Sequence, residues 1–311
     1  MKRITKITLT LAALALLDIF PAGALAEQFS EWSPPVNLGP TVNTASFEVC
    51  PSVTKTGLSL YFGSPRPGGF GNVDIYVSQR PSTNDPWGPP QNLGPTINSP
   101  SVDNCPFVTP EGHTLIFLST RPGSAGIDLY VSFRQNKRDD FAWETPVPLA
   151  GLNTPFNEFG PTGYEDEETG DLILYFTSDR PGGPGGPDIY MSRTASDGTL
   201  LPPTLVAELS SSAQDLFANV RKDGRELFLS SDRTGTLGTL DFWVARREST
   251  SDPWSVPENL GPIVNSTAFE QRPVISWDAL TLIFTSNRVD GNFGNFDLYQ
   301  TTRTRRTGPP Q

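Results

Sequence analysis

One stretch, Leu58–Arg80 (LSLYFGSPRPGGFGNVDIYVSQR), returns four times along the chain. The copies are Thr114–Arg134, Leu172–Arg193, Glu226–Arg246 and Thr281–Arg303. Each opens on a β-branched and aromatic run, passes through Ser-x-Arg and a turn rich in Gly or Pro, and closes on Asp-apolar-aromatic. Two such runs joined by a Gly-bearing turn form an antiparallel hairpin. Five hairpins at one period restrict the chain to a repeat architecture, because a single small sheet leaves faces that only a neighbouring unit can cover.

The repeat is longer than the hairpin. Trp-x-x-Pro-x-x-Leu starts at Trp32, Trp87, Trp143 and Trp254, and a degenerate copy starts at Leu200; the spacings are 55, 56, 57 and 54 residues. Asn43, Asn98, Asn153 and Asn265 follow, then an acid five positions on: Glu48, Asp103, Glu158 and Glu270. The fourth unit keeps the acid as Asp215, with Ser210 and Ala218 in place of the Asn and the later Pro, a pattern read as drift in one unit. After the acid come a short strand, a turn and the hairpin. Each unit thus yields four short antiparallel strands, one around Pro51–Thr54, two from the hairpin and one around Trp87–Leu93. Five such sheets arranged radially make an all-β, five-bladed β-propeller. The chain opens on a Trp-x-x-Pro strand at Trp32 and ends after the fifth hairpin. The N-terminal strand is therefore expected to complete the last blade and close the ring.

With 28 Gly and 31 Pro in 311 residues, the chain suits strands and turns throughout. Residues 1–26 differ: a basic start (Lys2, Arg3, Lys6), an apolar run Ile7–Leu17 and a small-x-small site, Ala24-Leu25-Ala26, read as a signal peptide cut before Glu27. The expected organisation is a leader over 1–26, one propeller domain over 27–306 and a disordered tail over 307–311. The expected location is secreted or periplasmic, without a lipid-anchor Cys. The net charge is −11, and such a surface disfavours nucleic acid and anionic membrane as partners.

The order Trp-x-x-Pro, Asn, acid-x-x-Pro, apolar-Ser-x-Arg, Gly-rich turn and Asp-Ile-Tyr resembles the WD40-like β-propeller repeat of the TolB type over nearly all of residues 31–303. That resemblance implies a stand-alone propeller acting as a non-enzymatic binding or scaffold module for a protein or glycan. The alternative is a five-bladed carbohydrate-active hydrolase using inner-strand carboxylates.

The candidate ligand residues are Glu48, Asp103, Glu158, Asp215 and Glu270. They precede the strand nearest the axis, where five carboxylates could ring the channel mouth. Such a ring can hold Ca²⁺ or supply an acid and a base for glycoside hydrolysis; otherwise no cofactor is expected. The structural reading is that each acid is held within its own blade or pairs with a Ser-x-Arg guanidinium. Arg66, Arg121, Arg180, Arg233 and Arg288 are expected to form structural ion pairs in the hairpins with Asp74, Asp128, Asp188, Asp241 and Asp297. The aromatics Tyr76, Tyr130, Tyr190, Trp243 and Tyr299 are expected to pack between sheets. Cys50 and Cys105 occupy the same position in consecutive units, either as a disulfide or as two buried thiols. The Gly-rich turns lack the Lys-Ser/Thr and the helix of a phosphate loop. His113 has no nucleophile elbow to serve, and one His with two Cys is a poor zinc donor set. The acidic insertion Glu165–Asp171 is unique to the third unit, and specific binding could reside there.

Overall fold

The computed structural model describes residues 29–195 and 197–306. The leader and the tail expected at 307–311 lie outside the described residues. The strands form five four-stranded antiparallel blades. Blade 1 comprises β2 (Val49–Val53), β3 (Ser59–Ser64), β4 (Asp74–Gln79) and β5 (Gln91–Asn92). Blade 2 comprises β6 (Asp103–Val108), β7 (Thr114–Ser119), β8 (Asp128–Phe133) and β9 (Val147–Pro148), and blade 3 comprises β10 (Glu158–Glu165), β11 (Leu172–Ser178), β12 (Asp188–Arg193) and β13 (Thr204–Leu205). Blade 4 comprises β14 (Asp215–Val220), β15 (Glu226–Ser231), β16 (Asp241–Arg246) and β17 (Glu258–Asn259). Blade 5 takes β18 (Glu270–Ile275), β19 (Thr281–Ser286) and β20 (Asp297–Thr302) from the C-terminal end and β1 (Val36–Asn37) from the N-terminal end. In that closing pair Val36 faces Gln300 and Asn37 faces Tyr299. The outer strands are shorter than the Trp-x-x-Pro signature suggested, because its prolines cannot donate to a ladder.

Apolar side chains fill the five gaps between blades. Tyr61, Ile75 and Val77 of blade 1 pack on Leu115, Phe117 and Tyr130 of blade 2, and the equivalent layers repeat around to Leu298 and Ile283 against Leu60 and Phe62. The recurring Asn ties successive units together. Asn98 accepts from the Ile75 N–H at 2.8 Å and donates to the Ile75 carbonyl at 3.0 Å, so the loop entering blade 2 is fastened to β4 of blade 1. In the fourth unit Ser210 substitutes by accepting from the Ile189 N–H.

Each inner strand carries a register shift at one place, immediately after the acid. The residue there has positive φ in every blade: Cys50 (56°), Cys105 (50°), Gly160 (66°), Phe217 (53°) and Arg272 (58°). A bulge re-aims one side chain, and here it gathers residues of four kinds into one layer at the axis. Cys50 and Cys105 are joined as a disulfide with Cα atoms 4.7 Å apart. Phe217 lies under the Arg272 guanidinium, 5.5 Å from ring centroid to Cζ.

Candidate functional site

The five recurring acids are fully buried. Glu48 accepts from the Thr44 N–H (2.7 Å), Thr44 Oγ1 (2.7 Å), Ser64 Oγ (3.0 Å) and Arg66 Nη2 (2.9 Å). The same set recurs at Asp103 with Arg121 (2.7 Å), Glu158 with Arg180 (3.0 Å) and Glu270 with Arg288 (3.1 Å), while Asp215 is held by the Ser211 N–H, Ser231 Oγ and Arg233. Each Arg also donates to the carbonyl of the loop leading into its blade, as Arg66 does to Val42 at 2.8 Å. Buried charges of this kind are held only by full hydrogen bonding. The expectation of a ligand-binding carboxylate ring at the channel mouth is therefore corrected: Glu48, Asp103, Glu158, Asp215 and Glu270 are the locks of their own blades. Among the described residues no group of His, Cys, Asp or Glu is placed to hold a metal ion.

The hairpin Asp residues need a second correction. Arg66, Arg121, Arg180, Arg233 and Arg288 do not pair with Asp74, Asp128, Asp188, Asp241 and Asp297. Asp74 instead accepts from the N–H groups of Phe70 (2.6 Å) and Gly71 (3.0 Å) and from Asn92 Nδ2 (2.8 Å). These Asp side chains fold the Gly-rich turn and clip it to the outer strand. Where the outer strand offers Pro148 or Leu205 instead of Asn, Asp128 and Asp188 each keep one buried oxygen without a partner. Burial accordingly pushes the Asp188 carboxyl up, against one backbone N–H from Gly185.

The locks leave the opposite face of the ring, formed by the β2–β3, β6–β7 and β18–β19 turns, as the place where the repeats differ. A cleft of about 1020 Å³ opens there between blades 1 and 2. Its walls come from the turns around Lys55 and Glu111–His113, the segment Arg134–Asp140 after β8, Glu165 at the end of β10, and Trp277 in the β18–β19 turn. The size suits a ligand of several rings. A smaller cavity of about 50 Å³ at the axis shares Lys55 and Trp277 and adds Lys222.

The floor of the cleft is rigid. Asp140 accepts from Ser59 Oγ (2.6 Å), Tyr61 Oη (2.6 Å), Gln79 Nε2 (2.8 Å) and Arg134 Nη1 (2.8 Å). Burial opposes its ionisation, but the hydrogen bonds from Arg134, Ser59, Tyr61 and Gln79 outweigh burial and hold its carboxyl below the usual range. Tyr61 moves the other way, pushed well up by burial and then by the adjacent Asp140 charge. The Arg134 guanidinium stacks 4.2 Å above Trp143. His113 Nδ1 stands 2.8 Å from the Arg134 carbonyl. A carbonyl only accepts, so Nδ1 carries the proton and Nε2 remains the free ring nitrogen.

Two cleft carboxylates are outside these networks. Glu111 is exposed and receives one hydrogen bond, from Thr109 Oγ1. Glu165 is exposed at the start of the acidic insertion, whose next residue, Asp166, folds the turn by accepting from the Glu168 and Thr169 N–H groups. The insertion thus contributes Glu165 to the cleft, and His113 lines it as well.

No family model matches the chain, and no curated protein matches it. Solved structures do. A GH43_1 enzyme from Xanthomonas citri complexed with xylose aligns with TM-score 0.57 at 15% identity, covering 86% of this chain and 88% of that one. An α-L-arabinofuranosidase from Lactobacillus brevis aligns with TM-score 0.56 at 15% identity, covering 88% and 96%. TolB from Acinetobacter baumannii aligns with TM-score 0.49 at 12% identity, covering 83% and 55%. At these identities the likeness establishes the five-bladed propeller fold, and the TolB type is not specific. The neighbours also correct the leading functional expectation. The better-scoring ones are glycoside hydrolases, so the propeller fold gives no reason to read the chain as a non-enzymatic scaffold.

Proposed function

We propose that this protein is a carbohydrate-active propeller that hydrolyses a glycosidic bond in the cleft between blades 1 and 2. The carrying observation is the pairing of that cleft with two exposed carboxylates from neighbouring blades, Glu111 and Glu165, in a molecule whose recurring acids are spent on structure. Glycoside hydrolysis needs one carboxyl to protonate the leaving oxygen and a second to activate water or attack the sugar. Asp140 is not available for either task, since both oxygens are engaged by four donors. The glycoside hydrolases among the structural neighbours agree with this reading. Its leader further suggests that the protein works after export, on glycan outside the cytoplasm.

The test is release of reducing ends from a panel of aryl glycosides and plant and bacterial polysaccharides by the mature chain. Turnover is expected, and Glu111→Gln or Glu165→Gln should each lower kcat by about 100-fold or more without lowering the melting temperature. Absence of turnover across the panel, or turnover indifferent to the double substitution, overturns the proposal.

A further inference from the structure

Lysine is scarce and badly scattered for chance. The chain has five, of which Lys2 and Lys6 lie in the leader. The remaining three, Lys55, Lys137 and Lys222, come from blades 1, 2 and 4, yet all three line the cavities around Trp277. The Lys55 ammonium lies 4.4 Å and the Lys222 ammonium 5.6 Å from the centroid of the Trp277 ring. Lys137 lines the cleft beside Arg138, and both are exposed. Among the described residues no acidic side chain forms an ion pair with any of the three lysines.

We infer that the cleft takes a glycan bearing carboxylate groups, a uronic-acid polymer or oligomer, with Lys55, Lys137 and Lys222 as its anion-recognition residues. This rests on the proposed glycan site and names its substrate class. Holding two ammonium groups against one indole face-region is unfavourable between the cations themselves, and the ring's negative quadrupole offsets that only in part. A bound carboxylate would complete the arrangement. Arg138 adds a planar fork suited to a carboxylate. The chain as a whole is acidic, with net charge −11, so the attraction for an anionic glycan has to come from local cations. Screening limits such effects to about 8 Å at physiological salt, which makes the local lysines, not the net charge, decide binding at contact. A neutral xylan or arabinan would gain nothing from three unpaired ammonium groups.

The experiment is calorimetric titration of the mature protein with an oligogalacturonate and with a neutral xylo-oligosaccharide of the same length. The oligogalacturonate is expected to bind at least about tenfold more tightly at low salt, an advantage that shrinks severalfold at about 0.5 M salt. The triple variant Lys55→Gln, Lys137→Gln, Lys222→Gln should erase the preference while melting at an unchanged temperature, since all three side chains sit at the surface of turns. Equal or tighter binding of the neutral oligosaccharide overturns this inference and leaves the glycan site standing. Binding of neither removes the glycan reading and this one with it. Dextran sulfate binding as tightly as oligogalacturonate overturns it too, because attraction would then follow charge alone.

Discussion

Gly160 leaves the space that Arg272 occupies. A Cβ at position 160 would stand 2.7 Å from Nη1 of Arg272 and 2.8 Å from the Phe217 ring, and the backbone there has φ +66°. The two residues hold equivalent places in blades 3 and 5, so the layer of Cys50, Cys105, Phe217 and Arg272 fits only because the fifth position has no side chain.

The first prediction concerns that layer. Arg272 is buried, with Nη2 on the carbonyls of Pro161 (3.1 Å) and Cys105 (3.4 Å) and Nη1 without a partner. Burial alone drags its guanidinium down to about 9. A cation whose folded value is depressed destabilises the fold fully below that value, and the penalty is relieved as pH rises from about 9 towards the unfolded value. Arg272→Met, which fills the same space without charge, is therefore expected to be neutral or to stabilise by about 1–3 kcal/mol at pH 7. Gly160→Ala should destabilise by roughly 2 kcal/mol or more through overpacking and left-handed strain. Urea unfolding of both variants at pH 7 checks the pair, and a clear stability loss in Arg272→Met would contradict it.

The second concerns the disulfide. Cys50 and Cys105 are 55 residues apart and buried at the axis. Closing a loop of that length removes unfolded-state entropy worth roughly 4 kcal/mol in the chain-entropy account. Native protein should show no titratable thiol even with reductant present, and unfolding with reductant should reveal two. Refolded under reducing conditions, it should be about 2–4 kcal/mol less stable. Two thiols in unfolded, unreduced protein would refute the bond.

How much of this was legible in the chain varies by layer. The fold and its closure follow from residues that recur, and a Trp-x-x-Pro strand at Trp32 with no counterpart after the fifth hairpin was sufficient to predict β1 joining β20. The locks were half legible. Glu48 and Asp74 both recur in register with Arg66, and spacing alone cannot say which carboxylate the guanidinium meets; the fold brings together the one 18 residues away. The bulge was invisible, because Cys50, Cys105, Gly160, Phe217 and Arg272 share a backbone conformation and no side-chain chemistry. The cleft was hidden for the opposite reason. Lys55, Glu111, Lys137, Glu165 and Trp277 are absent from the repeat pattern, and an argument built on recurrence passes over them.

The degenerate signature in the third blade yields a third prediction. Trp87, Trp143, Trp254 and Trp32 each lie under an Arg that follows a hairpin: Arg80 at 4.0 Å, Arg134 and Arg247 at 4.2 Å, and Arg303 at 4.5 Å. In the third blade Leu200 replaces the Trp, and the Arg position is Thr194, bridged to it. Both members of the stack are thus missing from the same blade. In blade 4, Arg247→Thr and Trp254→Leu should accordingly be non-additive. The double variant is expected to lose about 0.5–2 kcal/mol less than the sum of the singles. Strict additivity in thermal or urea unfolding would show that the stack carries no coupling.

The last prediction uses the floor of the cleft to separate folding from function. Asp140 is held below the usual carboxylate range, so its stabilisation is complete above the unfolded value near 3.8 and is lost as pH falls through the lower folded value. Asp140→Asn keeps the shape but leaves Arg134 buried without its counter-charge, and should cost about 3 kcal/mol at pH 7. The gap to the wild type should close as the pH drops below 3.8, where the wild-type carboxyl is also neutral. Because Asp140 anchors Ser59, Gln79 and Arg134 along the cleft wall, the same variant should weaken glycan binding, with a raised KM and little change in kcat. That split is the informative part. A collapse of kcat with KM unchanged would mean that Asp140 acts on the reacting atoms, and the assignment of Glu111 and Glu165 would have to be withdrawn.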